Sequence, residues 1–135
     1  MKTELTTEQS KHLIELGVPS NRASMTSNQL HGDPYYNDYY QEIFTLDDLL
    51  EMLPKEIEIP VFYDDLEEPE YYTKYRIAFE WDSNKYGQTE PQYNAFYKEI
   101  AFIPGGYLAK FNSEELIDAL YELTIWCIEN GHLKF

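Results

Sequence analysis

The stretch NSEELIDALYELTIWCIEN, residues 112–130, decides the fold because it carries the signals of a complete and largely buried helix. Asn112 or Ser113 can cap its first turn, since a short side-chain oxygen accepts a hydrogen bond from an unpaired backbone N–H. Gly131 follows directly, at the position where a left-handed residue commonly ends a helix. Both ends of this last helix are therefore predicted from the sequence.

The circumference of this helix is apolar apart from one acidic edge. At about 100° per residue, its carboxylates fall within a stripe roughly 100° wide. The stripe consists of Glu114, Glu115, Asp118, Glu122 and Glu129. A surface helix needs an apolar face of only about 100°, so we expect this one to be covered on more than one side. Ile125 lies inside the acidic stripe and is expected to be exposed or to touch a partner.

The first of two shorter helices is predicted close to the start of the chain. Thr6 and Gln9 have capping-box spacing, in which two side chains satisfy free N–H groups at a helix start. Gly17 is expected to end this helix near Leu16. Residues 18–33 are rich in Ser, Asn, Thr and Gly, and they predict a flexible loop.

The second short helix follows a tyrosine-rich segment, residues 33–44. Four tyrosines recur there at a spacing that would place them on one side if the segment were helical. Thr45 then caps a clearer helix, with Asp48 at its third position. Pro54 ends this helix because proline interrupts the backbone hydrogen bonding. The apolar face of the helix consists of Leu46, Leu49, Leu50 and Leu53.

Alternating hydrophobicity predicts an antiparallel pair of strands after the second helix. Residues 56–63 alternate, and Pro60 indicates an edge strand or a bulge because it cannot donate to a β-ladder. Residues 71–81 alternate again. One face of that strand carries Tyr71, Thr73, Tyr75, Ile77, Phe79 and Trp81. Residues 93–103 and 106–111 are shorter candidate strands, joined by a Pro-Gly-Gly turn.

Helices followed by strands and a last helix indicate the α+β class. We expect a small antiparallel sheet of three to four strands packed against the long C-terminal helix, with two shorter N-terminal helices. A length of 135 residues is sufficient for a real core, and residues 1–135 are predicted to form a single domain.

Acidic residues dominate the charge and are unevenly placed. The net charge is −15, and residues 33–70 contain 13 acidic residues against one basic residue, Lys55. This balance disfavours direct binding to nucleic acid or to anionic membranes, since both need Lys and Arg for neutralisation. The N-terminus has no signal-peptide pattern, and no stretch approaches the roughly 18 apolar residues of a membrane span. We therefore expect a cytoplasmic protein.

No catalytic or cofactor-binding signature is found in the sequence. His12, His31 and His132 have no metal-binding spacing, and the phosphate-binding and nucleophile motifs are absent. The acidic run at residues 64–70 could gather a hard cation, but it lacks the spacing and glycine of an EF-hand, so a solvated loop is favoured. Cys127 lies on the apolar side of the last helix and is predicted to be a buried structural thiol. No cofactor or metal is therefore predicted.

Tyrosines and carboxylates concentrate in the same part of the chain. Tyrosine is enriched in protein interfaces because it offers a large contact area and a polar tip, and carboxylates around it could meet Lys or Arg of a partner. The candidate interface consists of Tyr35, Tyr36, Tyr39, Tyr40, Asp64, Asp65, Glu67, Glu68, Tyr71 and Tyr72. The alternative interpretation is that half of the rings pack in the core and that the charge only solubilises the domain.

Two blocks resemble a known group of proteins. FTLDDLLEMLPKEI, residues 44–57, and ELIDALYELTIWCIENGHLKF, residues 115–135, resemble small uncharacterised proteins of gut Bacteroides and their phages or mobile elements. In that group a TLxDLLxxLPKEI helix precedes a strand pair, and an LxDALxxLxxWCIxNG helix closes the chain. The resemblance implies a bacterial or phage origin and a cytoplasmic protein, and it implies no activity.

Three functions are consistent with these observations. The leading hypothesis is a non-enzymatic accessory or regulatory protein that binds another protein, or itself as a homo-oligomer, through the acidic tyrosine-rich surface. A second is a DNA mimic that inhibits a DNA-binding protein. A third is a small-ligand binder or enzyme with a tyrosine-lined pocket, which a carboxylate of strongly perturbed pKa in a cleft would favour.

Overall fold

The computed structural model describes residues 1–28, 40–63, 67–83, 87, 90–100 and 105–135. In these residues the helices are α1 (Thr7–Glu15), α2 (Leu46–Met52) and α3 (Leu116–Glu129), with a 3-10 turn at Ser20–Arg22. The strands are β1 (Met25–Asn28), β2 (Tyr40–Ile43), β3 (Glu56–Val61), β4 (Tyr71–Asp82), β5 (Gln92–Glu99) and β6 (Tyr107–Ser113).

The predicted α+β class is confirmed. The strands β3-β4-β5-β6 form an antiparallel four-stranded sheet in chain order, and β1 and β2 form a separate antiparallel pair. The long C-terminal helix packs mainly on β5 and β6. One hydrophobic core joins the three helices to the inner face of the four-stranded sheet.

The C-terminal helix is shorter at its start than the sequence predicts. Asn112 and Ser113 were predicted as its cap, but they end β6, where they are paired with Asn94 and Tyr93 of β5. The prediction is wrong because the β-ladder takes up these two residues before the helix begins. Glu115 is the N-cap, and its side chain makes no capping hydrogen bond.

The predicted burial of α3 is confirmed by its side chains. Eight residues of this helix are buried, and they are Leu116, Ile117, Ala119, Leu120, Tyr121, Leu123, Thr124 and Cys127. Glu122 and Glu129 remain exposed on the acidic edge. Ile125 is only half-buried and packs against the core, so it is not the free residue that its place in the acidic stripe indicates.

Both short helices begin as predicted. Thr6 caps α1 in a capping box with Gln9, and Thr45 caps α2 in a capping box with Asp48. Each box satisfies two backbone N–H groups that a helix start leaves free. Gly17 has φ +105°, a left-handed conformation suited to the chain reversal after α1.

The segment between the two short helices differs from its prediction. The predicted loop at residues 18–33 is described to residue 28, and it contains the 3-10 turn and β1. Residues 40–43, which would have been helical under the tyrosine-spacing hypothesis, form β2. The reason is tertiary, because these residues pair with β1, from Met25 opposite Ile43 to Asn28 opposite Tyr40. The N-terminal segment pairs with the chain just after β2. Leu5 N–H donates to Phe44 O at 2.9 Å and Leu46 N–H to Thr3 O at 2.9 Å.

The strand β3 forms one edge of the four-stranded sheet. It pairs with β4 from Glu56 opposite Arg76 to Val61 opposite Tyr71. Ile77 N–H donates to Lys55 O at 3.1 Å, so by alternation the backbone nitrogen of Pro60 faces away from β4. The edge position predicted from this proline is therefore confirmed, because its missing N–H costs the sheet no hydrogen bond.

Candidate functional site

The candidate interface residues that the structure describes lie mainly at the loop end of the β3–β4 hairpin. The chain leaves β3 at Val61 and enters β4 at Tyr71, and Glu70 N–H donates to Val61 O at 2.8 Å. We call this region the hairpin end. It consists of Phe62, Tyr63, Glu67, Glu68, Glu70, Tyr71 and Tyr72.

Four aromatic side chains of the hairpin end are about half exposed. The exposed fractions are 52% for Phe62, 52% for Tyr63, 48% for Tyr71 and 53% for Tyr72. The hydroxyl oxygens of Tyr63 and Tyr71 are 3.3 Å apart, and the two ring centroids are 5.9 Å apart. These two rings are thus held against each other while one side of each remains in water. Such a cluster offers contact area that is already ordered before a partner arrives.

Three carboxylates lie close in sequence to these rings. Glu67, Glu68 and Glu70 are exposed, and none of them forms an ion pair within the described residues. The hydrogen bond with Tyr63 raises the pKa of the Tyr71 phenol, so this phenol stays a neutral donor at physiological pH. The hairpin end therefore combines apolar rings, phenol hydroxyls and unpaired negative charge.

The structure brings together only part of the candidate interface. Glu67, Glu68, Tyr71 and Tyr72 lie in the hairpin end, whereas Tyr40 belongs to β2 in the other sheet. The remaining predicted site residues lie outside the described residues, and they are Tyr35, Tyr36, Tyr39, Asp64 and Asp65.

Sequence reasoning missed Phe62, Tyr63 and Glu70 as members of this site. The signal was present, because the alternation of the predicted first strand ran through Tyr63 into the acidic run. Phe62, Tyr63 and Glu70 could thus have been predicted as neighbours of the candidate residues. The sequence did not indicate where the pairing of β3 with β4 stops. Phe62, Tyr63 and Glu70 lie beyond the last paired residues, Val61 and Tyr71.

Two tyrosines outside the hairpin end behave as the alternative interpretation expects. Tyr97 is fully buried, and Tyr75 is half-buried and packs against the core. The hydroxyl of Tyr97 donates to Pro54 O at 2.7 Å and accepts from Cys127 Sγ at 3.7 Å. The core interpretation therefore holds for these two tyrosines, and the interface interpretation stays a prediction for the exposed ones.

The cysteine is buried, as predicted. Burial raises the pKa of the Cys127 thiol to about 11 and also raises the pKa of the Tyr97 phenol beside it. A thiol that is buried and neutral at physiological pH is a poor nucleophile, because the thiolate is the reactive form. Cys127 is accordingly a packing residue of α3.

Two depressions on the described surface have no tyrosine in their lining. One, of about 340 Å³, is lined by the start of α1 with Met25, Thr26 and Ile43. The other, of about 620 Å³, lies between Ser24 and the start of α2. Tyrosine lines neither of them.

The second depression contains Asp48, whose environment is structural. Burial alone would raise the pKa of Asp48, but hydrogen bonds from Thr45 and Ser24 outweigh burial and hold the pKa below its ordinary value. One oxygen accepts from Ser24 N–H, Ser24 Oγ and Thr45 N–H, each at 2.9 Å. The charge of this carboxylate is thus used to cap α2 and to hold the residues before β1.

The described residues contain no group of three or more His, Cys, Asp or Glu side chains placed to hold a metal ion. His12 Nδ1 lies 2.8 Å from Tyr121 Oη, and His132 stacks on Trp126 with ring centroids 5.1 Å apart. His31 lies outside the described residues. Within the same residues, none of the helices is long and apolar enough to cross a bilayer.

Comparisons with protein-family models, with curated proteins and with solved structures found no match to this chain.

Proposed function

We propose that this chain is a non-enzymatic accessory protein that binds another protein through its hairpin end. The observation that carries the proposal is the group of four half-exposed aromatic rings beside three unpaired carboxylates at one end of a paired β-hairpin. Aromatic side chains supply most of the binding energy in many interfaces, whereas polar residues form the rim. A partner of this surface would present an apolar groove bordered by Lys or Arg.

The rings and the carboxylates have different roles in this proposal. Tyr63 and Tyr71 already contact each other, so little side-chain entropy is lost when a partner covers them. Glu67 and Glu68 lie in water, where charges mainly set the association rate and its dependence on salt. High salt should therefore slow association, and lower the affinity in proportion, while the dissociation rate changes little.

The two other functions have weaker support. A DNA mimic needs an array of carboxylates, whereas aromatic rings make up four of the seven residues of the hairpin end. A ligand-binding enzyme needs a cleft with an activated group, and among the described residues the carboxylate with a clearly shifted pKa, Asp48, is engaged in helix capping. A protein interface accounts for both the rings and the charge.

The experiment is a pull-down from bacterial lysate with the tagged protein and two matched variants. Tyr71→Ala removes a ring of the hairpin end, and Phe79→Ala removes a ring of the same strand and the same face at its other end. Both side chains are 48% exposed, so the two changes remove a comparable exposed surface.

Binding through the hairpin end predicts one defined partner that Phe79→Ala retains and Tyr71→Ala loses or weakens at least about tenfold, the scale of an interface hot spot. A wash in high salt should leave part of the partner bound. Equal capture by both variants would refute the assignment of the hairpin end. A partner that only high salt releases, and that DNA displaces, would replace the proposal with the DNA-mimic hypothesis.

A further inference from the structure

A small basic and aromatic cluster lies on the face of the sheet opposite to α3. Lys98 and Lys110 both approach the ring of Tyr107, with their ammonium nitrogens 5.7 Å and 4.6 Å from its centroid. Tyr107 is 45% exposed, and its ring packs edge-on against Phe96 with centroids 5.1 Å apart. We call Lys98, Tyr107 and Lys110 the basic patch.

The pairing of the strands builds this patch. Lys98 lies opposite Tyr107 across β5 and β6, and Lys110 lies opposite Phe96. A register shift after Tyr97 brings Tyr107 level with Lys98. Side chains at these positions share the outer face, because residues alternate between the two faces of a strand.

The charge of the patch is unusual for this chain. Acidic residues outnumber Lys and Arg by 25 to 10, yet neither lysine of the patch forms an ion pair within the described residues. Arg76 lies directly opposite Lys98 on β4, and its guanidinium turns to Glu56 at 3.1 Å. Like charges at opposed positions destabilise a sheet, so Lys98 stands where the sheet alone would favour a neutral residue.

We propose that the basic patch binds the hairpin end of a second copy of this chain. The inference rests on the proposed function, since it gives the hairpin end one particular partner. The two surfaces are complementary in charge: one has two unpaired ammonium groups around a half-exposed ring, and the other has three unpaired carboxylates close in sequence to four half-exposed rings. Ring would pack on ring, with carboxylates of the hairpin end against the ammonium groups.

One copy can use both surfaces at the same time. From Tyr71 to Arg76, level with Lys98, is five residues of β4, or roughly 17 Å, and β6 lies two strands further across, or roughly 10 Å. The hairpin end is therefore too far from the basic patch of its own chain to cover it. Since the two surfaces differ, the contact is head-to-tail and lets each copy add a further copy.

Salt should act on this assembly in two opposite ways. A net charge of −15 makes copies repel each other at low ionic strength. At about 0.1 M salt the screening length is about 10 Å, which weakens this repulsion more than the contact between opposed charges. Association is therefore expected near 0.1 M salt and should decrease again toward 1 M.

The test uses two double variants that each destroy one surface. K98E/K110E reverses the basic patch, and E67K/E68K reverses the charge beside the rings of the hairpin end. Sedimentation of the wild-type chain near 0.1 M salt should give a mass that rises with concentration above the 16.0 kDa of one chain. Each variant alone should remain a monomer, with association weakened at least about tenfold. Unchanged unfolding midpoints would show that both variants fold.

Mixing the two variants gives the decisive result. One retains its hairpin end and the other its basic patch, so the mixture should associate again. The two reversed surfaces also carry opposite charges, so growth beyond one copy of each is allowed. A mixture that stays monomeric would overturn the proposal, as would association of K98E/K110E equal to that of the wild type. A fluorescent single-stranded oligonucleotide that binds the wild type and competes with its self-association would assign the patch to phosphate instead. A monomeric wild type that still captures a cellular protein through Tyr71 would overturn this inference and leave the proposed function standing.

Discussion

The replacement of Leu120 by alanine tests whether α3 is the centre of the core. Leu120 is fully buried, so the change removes apolar contacts and leaves a cavity that its neighbours fill only in part. Substitutions of this kind cost about 2–5 kcal/mol of unfolding free energy. Alanine is the best helix former, so the cost arises from packing and not from loss of helix.

The assay is urea unfolding followed by far-ultraviolet circular dichroism, with thermal unfolding as a second measurement. For an m-value of about 2 kcal/mol/M, the urea midpoint should fall by roughly 1–2.5 M. The melting temperature should fall by roughly 7–18 °C, taking about 3.5 °C per kcal/mol for a chain of this length. Glu122→Ala is the matched control, because Glu122 lies two residues away on the exposed side of the same helix.

The control should change the unfolding free energy by no more than about 0.5 kcal/mol, as for an ordinary surface substitution. The reasoning would be refuted by equal midpoints for the two variants, since burial is the only difference on which the prediction depends. A loss below about 1 kcal/mol for Leu120→Ala would also contradict it, because it would mean that the core around α3 closes the cavity at almost no cost.

Three further predictions concern buried or crowded groups. Cys127 should not react with a thiol reagent until the protein unfolds. Folding raises the pKa of its thiol from 9.0 to about 11. The contribution of this thiol to stability should therefore be full below pH 9 and fall between pH 9 and 11, because only the unfolded chain releases the proton there. For Asp48, whose folded pKa lies below 3.8, the stabilisation should be present above that pH and be lost as the pH falls below it. Asp48→Ala should cost about 1–3 kcal/mol, measured by urea unfolding, because Ser24 loses its hydrogen-bond acceptor. Gly105→Ala should cost about 1–3 kcal/mol in the same assay, because its Cβ would come within 2.6 Å of Glu99 Cβ.

Each of these has a result that would contradict it. Rapid labelling of the native Cys127 thiol would disprove its burial, and Cys127→Ala should flatten the alkaline loss relative to the wild type. An Asp48→Ala variant whose acid unfolding parallels that of the wild type would show that the carboxylate contributes no pH-dependent stability. Gly106→Ala is the control for Gly105, since an added Cβ there meets nothing within 4 Å, and equal costs for the two would contradict the clash.

The local signals of this sequence were sufficient for the starts of α1 and α2 and for the strand pair. Thr6 and Thr45 formed their predicted capping boxes because every atom of such a box lies within one helical turn. Pro60 marked an edge strand because its missing N–H is a property of the residue itself. The acidic edge of α3 and its buried remainder followed from the helical period. These features depend on neighbours in sequence.

Only the tertiary structure decided features that compete with local signals. Asn112 and Ser113 carry good capping side chains, but the pairing of β6 with β5 takes them into a strand. Residues 40–43 become β2 because they pair with β1. In both places hydrogen bonds to a distant strand outweigh a local preference.

The same limit applies to the candidate site. Tyr71, Tyr75 and Tyr97 are one residue type in alternating strands, yet one is half exposed, one half-buried and one fully buried. The sequence alone determined that tyrosines and carboxylates occur in the same part of the chain. This part of the interface hypothesis rests only on the sequence. The position of α3 over β5 and β6 decided which rings stay in water, and the register of β5 with β6 decided that Lys98 and Lys110 share one ring. Exposure depends on what packs above a side chain, and that is set by contacts between residues far apart in the sequence.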